Sequence, residues 1–183
     1  MRFIGSLTLS LAVFACGPEA VGNQPVNSPT TASVGGTAAP DFTARDTEGN
    51  TFRLSEHLGK EVILLDFWAT YCEPCKAAFP HVESLSKSLK SKGLLVVAVA
   101  MDGPDTVAEV SSVKSRYNLS FPVVLDEDSR VASLYNPKKS MPLSVLIDRS
   151  GKVVKVREGF NPGDEELIEA DVKKALEQHI AVQ

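Results

Sequence analysis

Two cysteines separated by two residues, Cys72 and Cys75, stand in the stretch Trp68-Ala69-Thr70-Tyr71-Cys72-Glu73-Pro74-Cys75-Lys76. Thiols at that spacing can close a small disulfide and reopen it, can form an inert crosslink, or can supply half of a zinc site. Zinc needs about four ligands, and the only other cysteine is Cys16. The flanks decide where the sulfurs stand. Before them, Val62-Ile63-Leu64-Leu65-Asp66-Phe67 is apolar without alternation, the pattern of a strand covered on both faces, with one carboxylate set in it. After them, Ala78, Val82, Leu85 and Leu89 recur at helical spacing up to Gly93, a residue suited to a left-handed C-cap. The spacing therefore predicts strand, turn, helix, with Cys72 at the helix N-terminus. Unpaired N–H groups and the positive end of the helix dipole favour a thiolate there, with the first sulfur exposed and the second covered beneath it.

The elements that must hold this pair follow from the rest of the chain. At 183 residues, 43% hydrophobic, the sequence suits one domain with a proper core. A net charge of -4 without a dense basic cluster argues against nucleic acid as a partner. Arg2 precedes an apolar run over residues 3–15 that is too short to cross a bilayer as a mature helix. Residues 1–15 read as an export signal, and Val13-Phe14-Ala15-Cys16 resembles a bacterial lipobox, with Cys16 as the lipid attachment site. Ordinary signal cleavage would also suit Val13 and Ala15. Residues 16–38 are mostly Gly, Pro, Asn, Ser, Thr and Ala without apolar periodicity, a disordered tether with an r.m.s. span of roughly 25 Å. The folded domain is expected over residues 39–183.

Within it, residues 43–46 and 51–54 flank Glu48-Gly49-Asn50 as a β-hairpin, and a helical turn over 55–59 carries a solvated His57. Pro80 should kink the first long helix, and His81 on its body reads as a surface residue. Residues 94–100 form a second buried strand parallel to the first. A helix begins at Pro104 and Asp105 with Val107, Val110, Val113 and Tyr117 as its stripe, closed by Asn118. A short strand over 121–125, a helical piece over 129–135, and a hairpin of strands 143–147 and 152–157 follow. The last helix starts at Asp164 as N-cap, with Ile168, Val172, Ala175, Leu176 and Ile180 on one face and a solvated His179.

Phe67-Trp68-Ala69-Thr70, followed by Cys72-Glu73-Pro74-Cys75, resembles the signature of the thioredoxin superfamily. Residues 41–148 are similar to its TlpA/ResA branch of membrane-anchored bacterial thiol-disulfide oxidoreductases. The resemblance implies an α/β thioredoxin fold with an N-terminal β-hairpin and a central strand-helix insertion, a mixed sheet with helices on both faces. It implies Cys72 as the attacking thiolate and Cys75 as the resolving thiol of a redox-active disulfide that needs no other cofactor. Trp68, Tyr71, Pro74, Met141 and Pro142 would lie against the substrate, with Pro142 as the superfamily's cis-proline. The chain departs at Tyr71, where the branch carries Trp; an aromatic wall is kept. Asp66 occupies the place of the superfamily's buried acid, where desolvation raises a carboxyl pKa into the range of a general acid/base; a structural Asp bonded to backbone is the other reading. The superfamily's partner lysine falls near Ala98, so Asp66 should have no salt link. Glu73 places a negative charge beside Cys72 and should raise its pKa, or is only a solvated acid at a helix start.

The resemblance further implies an extracytoplasmic reductase, lipid-anchored in the bacterial cell envelope, acting as a monomer on a protein disulfide such as that of apocytochrome c and supplied by a membrane thiol-electron donor. A peroxiredoxin-like peroxidase would carry Pro and Thr ahead of a lone cysteine, a pattern absent here. A copper-delivery protein would also use two thiolates, but related carriers space them by three residues.

Overall fold

The structure, a computed structural model, describes residues 36–178. The export signal, Cys16, the tether up to residue 35, His179 and Ile180 lie outside the described residues. In chain order the elements are β1 (Thr37–Ala38), β2 (Thr43–Asp46), β3 (Thr51–Arg53), β4 (Val62–Trp68), α1 (Glu73–Leu89), β5 (Leu94–Ala100), α2 (Val107–Arg116), β6 (Val123–Leu125), α3 (Arg130–Tyr135), β7 (Leu143–Ile147), β8 (Lys152–Glu158) and α4 (Asp164–Glu177). The strands form one mixed sheet in the order β1-β8-β7-β4-β5-β6-β2-β3.

The position of β4 near the middle of this order explains its unbroken apolar run. It pairs in parallel with β5 and antiparallel with β7, and every one of its side chains is buried. The path β4-α1-β5-α2-β6 steps across the sheet in one direction, so two right-handed crossovers put α1 and α2 on the same face. There Val62, Leu64 and Trp68 pack with Phe79 and Val82 of α1, Val110 of α2 and Val172 of α4. The alternate β4 residues Ile63, Leu65 and Phe67 face the opposite layer, where α3 contributes Val131 and Ala132 and the N-terminal segment contributes Phe42 and Phe52. Asp66 falls in the first row, on the side of α1.

Local chemistry fixes the turns. The Asp46 carboxylate accepts from the backbone N–H of Glu48 at 2.9 Å and of Asn50 at 2.8 Å, closing the expected hairpin. Gly93 takes φ 92°, and a Cβ there would lie 2.7 Å from Arg149 Nη2, which donates to Lys92 O. Only glycine fits both conditions.

The structure departs from the sequence-based reading in three boundaries and in the burial of His57. Thr37 and Ala38, assigned to the tether, form β1 and pair with Val153 and Lys152. The second helix begins at Val107, because Gly103 O first accepts from Thr106 and Val107 N–H in a preceding turn. Gly163, at φ 97°, caps α4 in place of Asp164, whose carboxylate accepts from Asn161 N at 2.7 Å. His57 is half-buried, stacked on Phe52 and 2.7 Å from a Glu61 carboxylate oxygen. Pro80 lies inside α1, where the sequence places it, and the helix continues past it to Leu89.

Candidate active site

Cys72 is the N-cap of α1, and its Sγ accepts from Cys75 N–H at 3.3 Å. Pro74 sits in the first turn, where its missing N–H costs no helical bond. Cys72 and Cys75 are joined by a disulfide with their Cα atoms 5.3 Å apart. Cys75 is fully covered, and Cys72 in this oxidised state is only 7% exposed, less open than the sequence suggests, since its sulfur is tied back to its partner.

The residues expected against a substrate separate into two groups. Tyr71 is 63% exposed, Pro74 is exposed, and Met141 is half-buried against the cluster that contains both cysteines. The last β4–β7 pair is Phe67 with Leu143, so Pro142 and Met141 come alongside Trp68 and Ala69 where the motif begins. The Met141-Pro142 peptide is cis, and Pro142 O accepts from Gly159 N–H at 2.8 Å. Pro142 and Trp68 are buried. Trp68 is 0% exposed, with its ring set edge-on to Phe79 at 4.9 Å, so it presents no surface to solvent.

Asp66 is 3% exposed and lies in the β4 row that faces α1. Its direct cross-strand neighbours are Ala98 on β5 and Ser144 on β7. Ala98 carries no charge, and Asp66 makes no ion pair among the described residues. Ser144 Oγ stands 3.4 Å from Asp66 Oδ1, and Oδ2 has no hydrogen-bond partner. Burial pushes the Asp66 pKa up to about 7, and the Ser144 contact lowers it only in part. The structural alternative, an Asp bonded to backbone, has no support in these contacts.

Glu73 is not a lone charge. Its exposed carboxylate is 2.6 Å from Lys76 Nζ, one helical turn on, and the Lys76 side chain is only 14% exposed. The expected brake on Cys72 is therefore partly neutralised, a pairing legible as an i,i+3 contact.

Sequence reasoning missed Asp102. This carboxylate, 1% exposed, lies just past β5 and accepts from Thr70 N–H at 3.0 and 3.2 Å and from Thr70 Oγ1 at 2.6 Å. An acid directly after a buried strand is the only signal the sequence offers for it.

A carboxyl that can exchange a proton near neutrality, buried on the α1 side of the strand that leads into a closed Cys-x-x-Cys disulfide at a helix start, is suited to thiol-disulfide exchange. Residues 35–156 match the AhpC/TSA family. The thiol-disulfide oxidoreductase ResA of Bacillus subtilis is 44% identical over 124 residues, 68% of this chain and 67% of that protein. The ResA of Geobacillus thermodenitrificans is 34% identical over 147 residues, 80% of this chain and 79% of its own. Among solved structures, a protein of Chlorobium tepidum assigned as a thiol:disulfide interchange protein DsbE superposes with a TM-score of 0.71 at 37% identity, covering 77% of this chain and 96% of that one. A thiol:disulfide interchange protein of the thioredoxin family from Chlorobium tepidum TLS gives 0.67 at 25% identity over 77% and 97%.

Proposed function

The chain belongs to the AhpC/TSA family, among the ResA-like thiol-disulfide oxidoreductases of the thioredoxin superfamily, and on that premise we propose that it runs as a disulfide reductase outside the cytoplasm. The observation that carries the direction is Asp66, buried on the side of α1 without a cation. Its charge disfavours a second negative charge on a nearby cysteine. Strong oxidants of this chemistry work because their reduced, thiolate form is stabilised, and an acid in this place acts the other way.

In the reductive half-reaction Cys72, as thiolate, attacks one sulfur of a substrate disulfide. The substrate's other sulfur leaves as a thiolate, and a mixed disulfide to Cys72 remains. Cys75 gives its proton to Asp66 and attacks Cys72 Sγ, closing the Cys72–Cys75 disulfide and releasing the second substrate sulfur as a thiolate. Both substrate thiolates take protons from water, and two electrons have passed to the substrate. A membrane thiol-electron donor restores the dithiol.

Tyr71, Pro74 and Met141 form the surface that receives the substrate, with Pro142 buried behind Met141, and Cys72, Cys75, Asp66 and Glu73 carry or tune the chemistry. The substrate class is a protein disulfide of the cell envelope, with apocytochrome c, the substrate that the resemblance to the TlpA/ResA branch implies, as the first candidate. The domain acts as a monomer held to the membrane by lipid at Cys16, and mass analysis of the mature N-terminus tests that anchor. A Cys75→Ser variant tests the reading as a whole. It should accumulate a mixed disulfide between Cys72 and an envelope protein; rapid peroxide consumption by the unmodified protein, with nothing trapped, would favour a peroxidase.

A further inference from the structure

Asp102 has no part in the exchange chemistry described above, yet it is a carboxylate removed from solvent beside the dithiol segment. Its place in the sheet gives the reason. The β4–β5 ladder ends with Trp68 opposite Ala100, and one more rung follows in which Met101 N–H donates to Trp68 O at 2.8 Å. Beyond that the chain must leave the sheet and turn into α1 within three residues, and Thr70 N–H loses its ladder partner. The Asp102 side chain takes that place, accepting Thr70 N–H and the Thr70 hydroxyl together. The next bond along the turn is Cys72 N–H to Ala69 O at 3.0 Å, which sets Cys72 as N-cap. Thr70 itself is buried, while its neighbour Tyr71 projects into solvent.

We propose that Asp102 is a positioning residue for the dithiol: by clamping Thr70 it ends the ladder at a fixed point and holds Cys72 where its sulfur can attack. A buried carboxylate is costly to desolvate, and charge-assisted bonds from both donors of one residue offset that cost while defining the turn geometrically. Oδ1 alone accepts both donors, at 3.2 Å from Thr70 N and 2.6 Å from Thr70 Oγ1, so a side chain without an acceptor oxygen could fill the space but would leave both donors unpaired. The clamp acts on where the sulfur stands, so its effect persists when Cys72 is wholly ionised.

That last property separates positioning from charge. Loss of the Asp102 charge by itself would favour the Cys72 thiolate and speed exchange at neutral pH. Loss of the clamp slows exchange at every pH, including those where ionisation is complete. The measurement is the second-order rate of exchange between the reduced protein and oxidised glutathione, at a pH where thiolate absorbance shows Cys72 fully ionised. Asp102→Ala is expected to slow it about tenfold, within the range that small misplacements of a reacting group produce. Thr70→Val, which removes one of the bonds, should slow it less, Thr70→Ser should restore the rate, and Thr70→Val should add nothing in the Asp102→Ala background. Should Asp102→Ala fail to fold, Thr70→Val against Thr70→Ser, both in the Asp102-containing protein, carries the comparison. A folded Asp102→Ala protein that exchanges at the unaltered rate when fully ionised overturns the proposal, as does an unaltered rate in Thr70→Val where Asp102→Ala does not fold, and so does a loss of rate that Thr70→Val worsens additively. The inference rests on Cys72 being the attacking sulfur. Exchange surviving in Cys72→Ser would refute that assignment, a result distinct from an unaltered rate in the Asp102 variants.

Discussion

Asp66 and Ser144 face each other across the β4–β7 ladder, and the 3.4 Å contact of Ser144 Oγ with Oδ1 is the one side-chain hydrogen bond the buried carboxyl makes among the described residues. One oxygen is engaged and the other, Oδ2, is without a partner. An acid held in that way can exchange a proton near neutrality, as the role proposed for it toward Cys75 requires, at some expense to the fold.

That expense is measurable as pH dependence. With a folded pKa of about 7 against 3.8 for the free group, the folded protein holds the proton more tightly. The stability tied to Asp66 is therefore complete below pH 3.8 and is lost as pH rises through 7, by up to about 4 kcal/mol. Asp66→Asn should be more stable than the unaltered protein at pH 8 by a few kcal/mol, with the gain vanishing near pH 4. Urea unfolding of the oxidised protein at the two pH values checks it, alongside a slower resolving step; an equal gain at both would remove the titration of Asp66 from the account.

Ser144→Ala should move the pH midpoint of the resolving step upward, because the hydroxyl favours the ionised carboxylate. Ser144→Thr should leave it in place. Stopped-flow exchange across pH 5–9, a range of about two units either side of the Asp66 midpoint, reads this directly, and an unmoved midpoint in Ser144→Ala would show that the contact is idle.

Trp68 and Tyr71 stand three residues apart and should respond in opposite ways. Trp68→Ala removes a buried ring packed edge-on against Phe79 and should cost about 3–5 kcal/mol of stability. Tyr71→Ala, at an exposed position, should change stability by less than about 0.5 kcal/mol and raise KM for a protein disulfide. Denaturation and steady-state kinetics on both variants would reverse these roles if Trp68→Ala proved stable and altered KM alone.

Glu73→Gln should lower the Cys72 pKa and Lys76→Gln should raise it, since each removes one half of an ion pair at the helix start. The pair is largely solvated on the Glu73 side, so each change should stay below about 1 kcal/mol, or about 20 mV in potential. Thiolate absorbance against pH gives both values; shifts of the same sign would contradict an electrostatic role for the pair.

The fold was legible because its signals are periodic. Six apolar residues around Asp66, from Val62 to Trp68, mark the central strand, and Ala78, Val82, Leu85 and Leu89 mark the helix that packs on it. Side-chain contacts that join distant segments left little trace. Ser144 and Asp66 are 78 residues apart and meet only because β7 is drawn beside β4, and Asp102 reaches Thr70 only because β5 does the same. Trp68 reads as a substrate contact from its place in the motif, but the period of two along β4 turns its ring into the core with Leu64. Glu73 and Lys76 could be paired from spacing alone.

The potential of the Cys72–Cys75 couple tests the reductase account most directly. Equilibration of the protein with glutathione buffers, read by the redox state of the two thiols, should place it near the roughly -270 mV of thioredoxin. A value near the roughly -120 mV of DsbA would contradict the proposed direction, since a couple that oxidising would deliver disulfides to its partners.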